Sequence, residues 1–146
     1  MTTEEEKNIS LENQLCFLLY AVSRKVIALY QPYLRPLGIT YTQYIVLMSL
    51  WECDSVTVSE LGKKLFLDNG TLTPLLKKME NLGYISRKKS HRDERRVIIS
   101  LTQKGLSLKE KCIDIPQCVF KKTGIDAEKA EQLHSLLHDL LGRISD

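Results

Sequence analysis

Four cysteines, at positions 16, 53, 112 and 118, carry the most reactive side chains of this 146-residue chain. They form no Cys-x-x-Cys pair, and no histidine stands at a spacing from them that suits zinc. Thiols outside a disulfide framework or a metal site are either inert apolar fillers or reactive groups. Cys53 ends an apolar run over 44–51 and reads as a buried structural thiol. Cys16, in Leu15-Cys16-Phe17, shares a helix face with Tyr20 at i,i+4. A phenol donating to sulfur favours the thiolate, which attacks a peroxide O–O bond to give a sulfenic acid. Composition alone leaves Cys16 open to the filler reading as well.

Charge forms the second constellation. The formal net charge is only +3. Residues 63–96 nevertheless hold Lys63, Lys64, Lys77, Lys78, Arg87, Lys88, Lys89, Arg92, Arg95 and Arg96 against Asp68, Glu80, Asp93 and Glu94. A basic segment on a near-neutral body is the footprint of a polyanion-binding protein. The remaining chemistry is sparse. His134 and His138 stand four apart, as a metal pair would, but such pairs more often lie on a solvated helix face. No Gly-rich phosphate loop occurs. The reading is therefore no metal, no cofactor and no enzyme, with a thiol peroxidase as the remote alternative.

The elements that must position these groups follow from periodicity and caps. A loose tail over 1–9 precedes a long helix with Leu11, Leu15, Leu18, Val22, Val26 and Leu29 on one side, capped by Ser10. That helix places Cys16 in its second turn and ends before the Pro36-Leu37-Gly38 turn. Thr40-x-x-Gln43 and Thr57-x-x-Glu60 are capping boxes opening a second and a short third helix. Residues 66–70 make a tight connection to a fourth helix over 70–82, with Pro74 tolerated in its first turn and Gly83 as C-cap. Two β-rich runs, 84–88 and 96–101, flank a charged link and predict a hairpin. Thr102 caps a fifth helix, broken or kinked near Pro116, and Asp126 caps a sixth carrying Ala130, Leu133, Leu137, Leu140 and Leu141.

This order predicts a mainly α, winged helix-turn-helix chain of one domain, residues 1–146, with the DNA-binding part at about 56–101. The second helix of such a pair lies in the major groove. Asn69, Thr71 and Thr73 at its start can reach base edges or phosphates, and Lys77 and Lys78 can hold phosphate a turn later. Arg87, Lys88, Arg92 and Arg95 on the hairpin can follow the backbone or enter the minor groove. Asp93 fits phosphate binding poorly and reads as a residue that positions a neighbouring arginine. No run of 18 uncharged apolar residues suggests a membrane span, and the acidic start, with Glu4, Glu5 and Glu6, is unlike a secretory signal. A cytoplasmic location is expected.

Residues 11–20, 39–44, 66–77, 93–95 and 99–102 carry a resemblance to the MarR family of winged-helix repressors. Within it the chain is similar to the organic-hydroperoxide-resistance branch, for which Leu15-Cys16-Phe17 and Gly70-Thr71-Leu72-Thr73-Pro74 are the specific marks. Asn69 departs from the serine usual there, which bears on operator preference. The resemblance implies a homodimer built by helices at about 10–35 and 102–146. It implies a pseudo-palindromic double-stranded operator and release by an organic peroxide or another oxidant. It also implies that Cys16 is the reactive thiol, supported by Tyr30 and Tyr41 beside the Tyr20 already noted. Cys118 becomes the resolving thiol of an intersubunit disulfide, with Cys112 as runner-up. A MarR-type repressor released by a small aromatic ligand, in a pocket near Tyr30, Tyr41 and Tyr44, is the competing reading.

Overall fold

Side-chain caps set most of the helix boundaries. In the computed structural model, which describes residues 3–145, the Thr40 hydroxyl accepts the Gln43 N–H while the Gln43 side chain accepts the Thr40 N–H. The Thr57–Glu60 box repeats this arrangement. Each such cap is worth about 1 kcal/mol. The chain order is α1 (Glu4–Asn8), a 3₁₀ turn (Leu11–Asn13), α2 (Leu15–Leu34), a second 3₁₀ turn (Arg35–Leu37), α3 (Tyr41–Glu52) and β1 (Val56–Thr57). It continues through α4 (Val58–Leu65), α5 (Asn69–Asn81), β2 (Ile85–Lys89), β3 (Val97–Leu101), α6 (Gln103–Cys112), α7 (Ile115–Thr123) and α8 (Ala127–Ile144). Helix-turn-helix and wing are α4, α5 and the β2–β3 hairpin.

Helix α3 is the centre of the core. Tyr44, Val46, Leu47 and Leu50 are buried, and they meet Leu61 of α4, Leu72, Leu76 and Met79 of α5, and Ile85 and Ile99 of the sheet. Burying each of these side chains contributes roughly 1.5–3 kcal/mol. The sheet is antiparallel in the order β1-β3-β2, with Val56 and Arg87 both opposite Ile99. The Asp54 carboxylate accepts the Leu101 N–H at 2.8 Å, and the Ser55 and Ser100 hydroxyls meet at 2.9 Å, which pins β3 to the end of α3. At the base of the wing, Gly83 (φ 85°) closes α5 and Tyr84 donates its hydroxyl to the Leu37 carbonyl at 3.2 Å. The turn after α2 is thereby tied to the first wing strand.

Several expectations are corrected. Residues Glu4–Asn8 of the supposed loose tail form α1, because Thr3 and Glu6 make a capping box; Met1 and Thr2 of that tail lie outside the described residues. Ser10 makes no side-chain cap; a 3₁₀ turn intervenes and α2 starts at Leu15, so Cys16 is in the first turn, not the second. Pro74 is the sixth residue of α5, past its first turn. The bond it forgoes is to the carbonyl of Gly70, an exposed residue that water can serve. The sheet has a third strand, β1, and Cys53 is exposed rather than buried.

Two apolar stripes lie outside the core. Leu15, Leu18 and Val22 of α2 are at least half exposed, and α8 has no buried residue although Leu133, Leu136, Leu137, Leu141 and Ile144 line it. Among the described residues no helix is long and apolar enough to cross a membrane.

Candidate functional site

The start of α5 is fixed by Asp68, whose carboxylate accepts the Thr71 N–H at 2.7 Å. The hydrogen bonds from Thr71 hold the Asp68 carboxyl below the usual carboxylate range. A depressed folded-state value means the cap stabilises the fold above about pH 4 and loses that effect as pH falls through it. Asp68→Ala is therefore expected to lower the thermal midpoint more at pH 7 than at pH 3, as read by circular dichroism.

Beside this helix start lies a cleft of about 530 Å³ between α4, α5 and the wing. Asn69 and Thr73 line it from α5, and Arg87, Arg95 and Arg96 from the hairpin. Ser59 and Lys63 of α4 also line it; they and Arg96 are absent from the site residues read in the sequence, although Lys63 and Arg96 belong to the basic run. Thr71, Lys77 and Lys78 are exposed along α5, as are Lys88 and Arg92 on the wing. The Asp93 carboxylate accepts both the backbone N–H (3.1 Å) and the Nε–H (3.3 Å) of Arg95, and lies 3.9 Å from Arg96 Nε. Arg95 remains 92% exposed in this clasp, free to meet a ligand. The arrangement is a concave cationic surface with polar groups at a helix start, suited to phosphate and base edges.

The sulfur centre is elsewhere. Cys16 is the second residue of α2 and exposed, on the flank of the uncovered stripe that Tyr20 shares. Tyr20 is one turn on, but its hydroxyl accepts from Arg24 (3.1 Å), whose guanidinium also stacks on its ring. Tyr30 and Tyr41 pack edge to face at 5.0 Å, joined by Tyr44. Burial raises all three phenols, Tyr44 to about 12, with neighbouring phenols adding to the effect at Tyr30 and Tyr44. They stay neutral donors at physiological pH. Within one protomer this cluster is about 21 Å along α2 from Cys16, fourteen residues at 1.5 Å each, so the chain does not bring Tyr30 or Tyr41 to its own Cys16. A cleft of about 520 Å³ lined by Ile27, Leu34, Ile39 and Tyr41 opens beside the cluster.

Cys118 is partly exposed on α7, whereas Cys112 is buried at the end of α6 with its thiol pushed up by burial. His134 and His138 stack on α8 with ring centroids 6.1 Å apart, and no group of three or more metal-ligating side chains occurs among the described residues.

Fold and cationic face together define the class of a winged helix-turn-helix regulator of transcription. The profile of the transcriptional regulators SarA/Rot matches residues 28–112. The chain is 52% identical over 134 residues, 92% of this chain and 91% of the relative, to the organic hydroperoxide resistance transcriptional regulator of Bacillus subtilis (strain 168). It superposes on reduced AbfR of Staphylococcus epidermidis bound to DNA with a TM-score of 0.80, at 35% identity over 97% of this chain and 99% of that one. A disulfide-formed AbfR gives 0.63 over 94% and 96%, also at 35% identity. A mutant of MarR from E. coli complexed with operator DNA gives 0.78, at 30% identity over 96% and 99%. The chain belongs to the MarR family of winged-helix transcriptional regulators, in its organic-hydroperoxide-resistance branch.

Proposed function

We propose that the protein is a homodimeric repressor that binds a pseudo-palindromic operator when reduced and releases it when Cys16 is oxidised by an organic peroxide. The observation that carries this reading is an exposed sulfur in the first turn of α2, beside an apolar stripe that nothing in the protomer covers. Pairing two protomers through the stripes of α2 and α8 buries that apolar surface and sets two α5 helices about 34 Å apart, one DNA turn. The partner's Tyr30 and Tyr41 then supply the donors that a protomer's own tyrosines are too distant to give. Asn69, Thr71 and Thr73 face the major groove, Lys77, Lys78, Arg87 and Lys88 the phosphates, and Arg92 and Arg95 the minor groove beside the wing. The better superposition on DNA-bound than on disulfide-formed AbfR supports an arrangement fitted for DNA.

The chemistry balances in two steps. The Cys16 thiolate attacks the O–O bond of ROOH, becoming a sulfenic acid as the alkoxide leaves and takes a proton. A second thiolate then attacks the sulfenic sulfur and displaces hydroxide, forming a disulfide. Cys118 of the other protomer suits that second role better than Cys112, because a buried thiol is both inaccessible and slow to ionise.

The test is retardation of a promoter duplex by the wild-type protein before and after cumene hydroperoxide, with thiol reductant added last. Loss and recovery of the shifted band are expected, with the mass change on the peptide containing residue 16. Retention of the band throughout sinks the redox reading. Cys118→Ser is expected to abolish the peroxide-induced covalent dimer on a non-reducing gel and Cys112→Ser to leave it; a dimer that persists in Cys118→Ser removes the Cys118 assignment. The cleft beside Tyr41 favours one second reading, release by a small aromatic ligand, which predicts release by such a ligand without any change at sulfur.

A further inference from the structure

Helix α5 carries one carboxylate, Glu80, alongside Lys77 and Lys78. A negative charge on an element that approaches phosphates is unfavourable unless it does something else. Its two oxygens are both engaged by Arg87 of β2: Oε2 accepts the backbone N–H at 2.9 Å and Oε1 the Nε–H at 3.3 Å. Among the described residues this is the one side-chain hydrogen-bonded link between α5 and the hairpin, beside the apolar packing of Leu72, Leu76 and Met79 on Ile85 and Ile99. Arg87 stands two residues after buried Ile85, on the sheet face that packs against α5. Its stem therefore runs beneath the wing, and its guanidinium opens into the cleft with Asn69, Thr73 and Arg95. Apolar packing of Leu72, Leu76 and Met79 on Ile85 and Ile99 holds the two elements together, and the Glu80–Arg87 link adds a directional polar clasp where they meet.

We propose that Glu80 is a positioning residue for DNA recognition, holding α5 and the wing at one fixed angle and Arg87 aimed into the cleft. The proposal rests on the operator-binding reading above. It predicts a sign opposite to simple charge repulsion. If Glu80 were merely an acid near DNA, its removal would tighten binding to every duplex. As a positioning residue, its removal weakens binding to a chosen sequence while leaving general affinity intact.

The experiment uses full-length reduced protein and two duplexes of equal length: one selected by the wild type from a random pool, and a scrambled version. Glu80→Ala is expected to bind the selected duplex about tenfold more weakly, the effect of losing one charged hydrogen-bond clasp. It should bind the scrambled duplex as well as or better than the wild type, with the salt slope unchanged because the set of phosphate-facing cations is the same. Glu80→Gln, whose amide oxygen still accepts the Arg87 N–H, is expected between the two. Equal or tighter binding of the selected duplex by Glu80→Ala overturns the proposal. So does an equal loss on both duplexes, which would mark a general folding defect and would show again as reduced oxidation at Cys16. A wild type that selects no duplex overturns the operator reading and this proposal together; a wild type that selects one, with Glu80→Ala binding alike, overturns this proposal alone.

Discussion

Cys16→Ser is expected to bind DNA within about twofold of the reduced wild type yet ignore organic peroxide, whereas the wild type loses roughly 100-fold in affinity, near the upper end of ordinary coupling between two sites. The reason is local. The side chain is exposed in the first turn of α2 and contributes nothing to the core, so exchanging sulfur for oxygen leaves the fold alone. A serine hydroxyl is not ionised near neutral pH and does not attack an O–O bond, so the chemical input disappears. Fluorescence anisotropy of a labelled duplex, before and after stoichiometric cumene hydroperoxide, reads both halves of the claim. A Cys16→Ser protein that still lets go on oxidation would move the sensor to another sulfur, and Cys53, the other exposed thiol, would be first in line.

Gly105→Ala is expected to lower the thermal midpoint by about 5–10 °C and weaken DNA binding at least tenfold. A Cβ at Gly105 would stand 2.2 Å from the Tyr84 carbonyl oxygen and 3.1 Å from its carbon. That obstacle is backbone, so a rotamer change cannot relieve it; α6 and the base of β2 must move about 1 Å apart. Overpacking of this kind costs about 1–3 kcal/mol, and 1 kcal/mol is about 2–4 °C in a domain of this size. The displacement falls where it matters. Thr102 is bonded to Gly83 and Tyr84, and Trp51 donates its indole N–H to the Gly105 carbonyl at 3.0 Å, so the shift reaches the wing and α3 together. Gly142→Ala is the control. Nothing lies within 4 Å of that position on α8, and alanine there should stabilise the helix by up to about 1 kcal/mol. Equal melting of the two variants would refute the steric argument.

The contrast between these positions shows what could be read from sequence. Apolar spacing and caps located α2 to α5 and α8, because Thr40, Thr57 and Asp126 state their roles within three residues of themselves, whereas the single fifth helix read after Thr102 is two, α6 and α7, parted before Ile115 and Pro116. The basic run placed the cationic surface on α5 and the hairpin for the same reason. What stayed hidden depends on distant partners. Strand β1 has two residues and exists only because β3 pairs with it. The crowding at Gly105 comes from Tyr84, twenty-one positions away in the chain. The Glu80–Arg87 link crosses a turn, and neither residue type alone announces it. Cys53 misled because its flank is apolar, yet α3 ends just before it and turns that residue outward. Ser10 misled because a serine ahead of leucines resembles a cap even where a 3₁₀ turn intervenes.

The uncovered leucines of α2 and α8 also bear on gene dosage. A lone protomer presents these stripes to chaperones and proteases, as any large exposed apolar patch does. In the proposed dimer, pairing removes them by mass action, so the amount of protected protein grows faster than in proportion to synthesis at low copy number. On that reading, halving the rate of translation would cost a cell more than half of its working regulator, and the genes it represses would begin to escape control with no oxidant present.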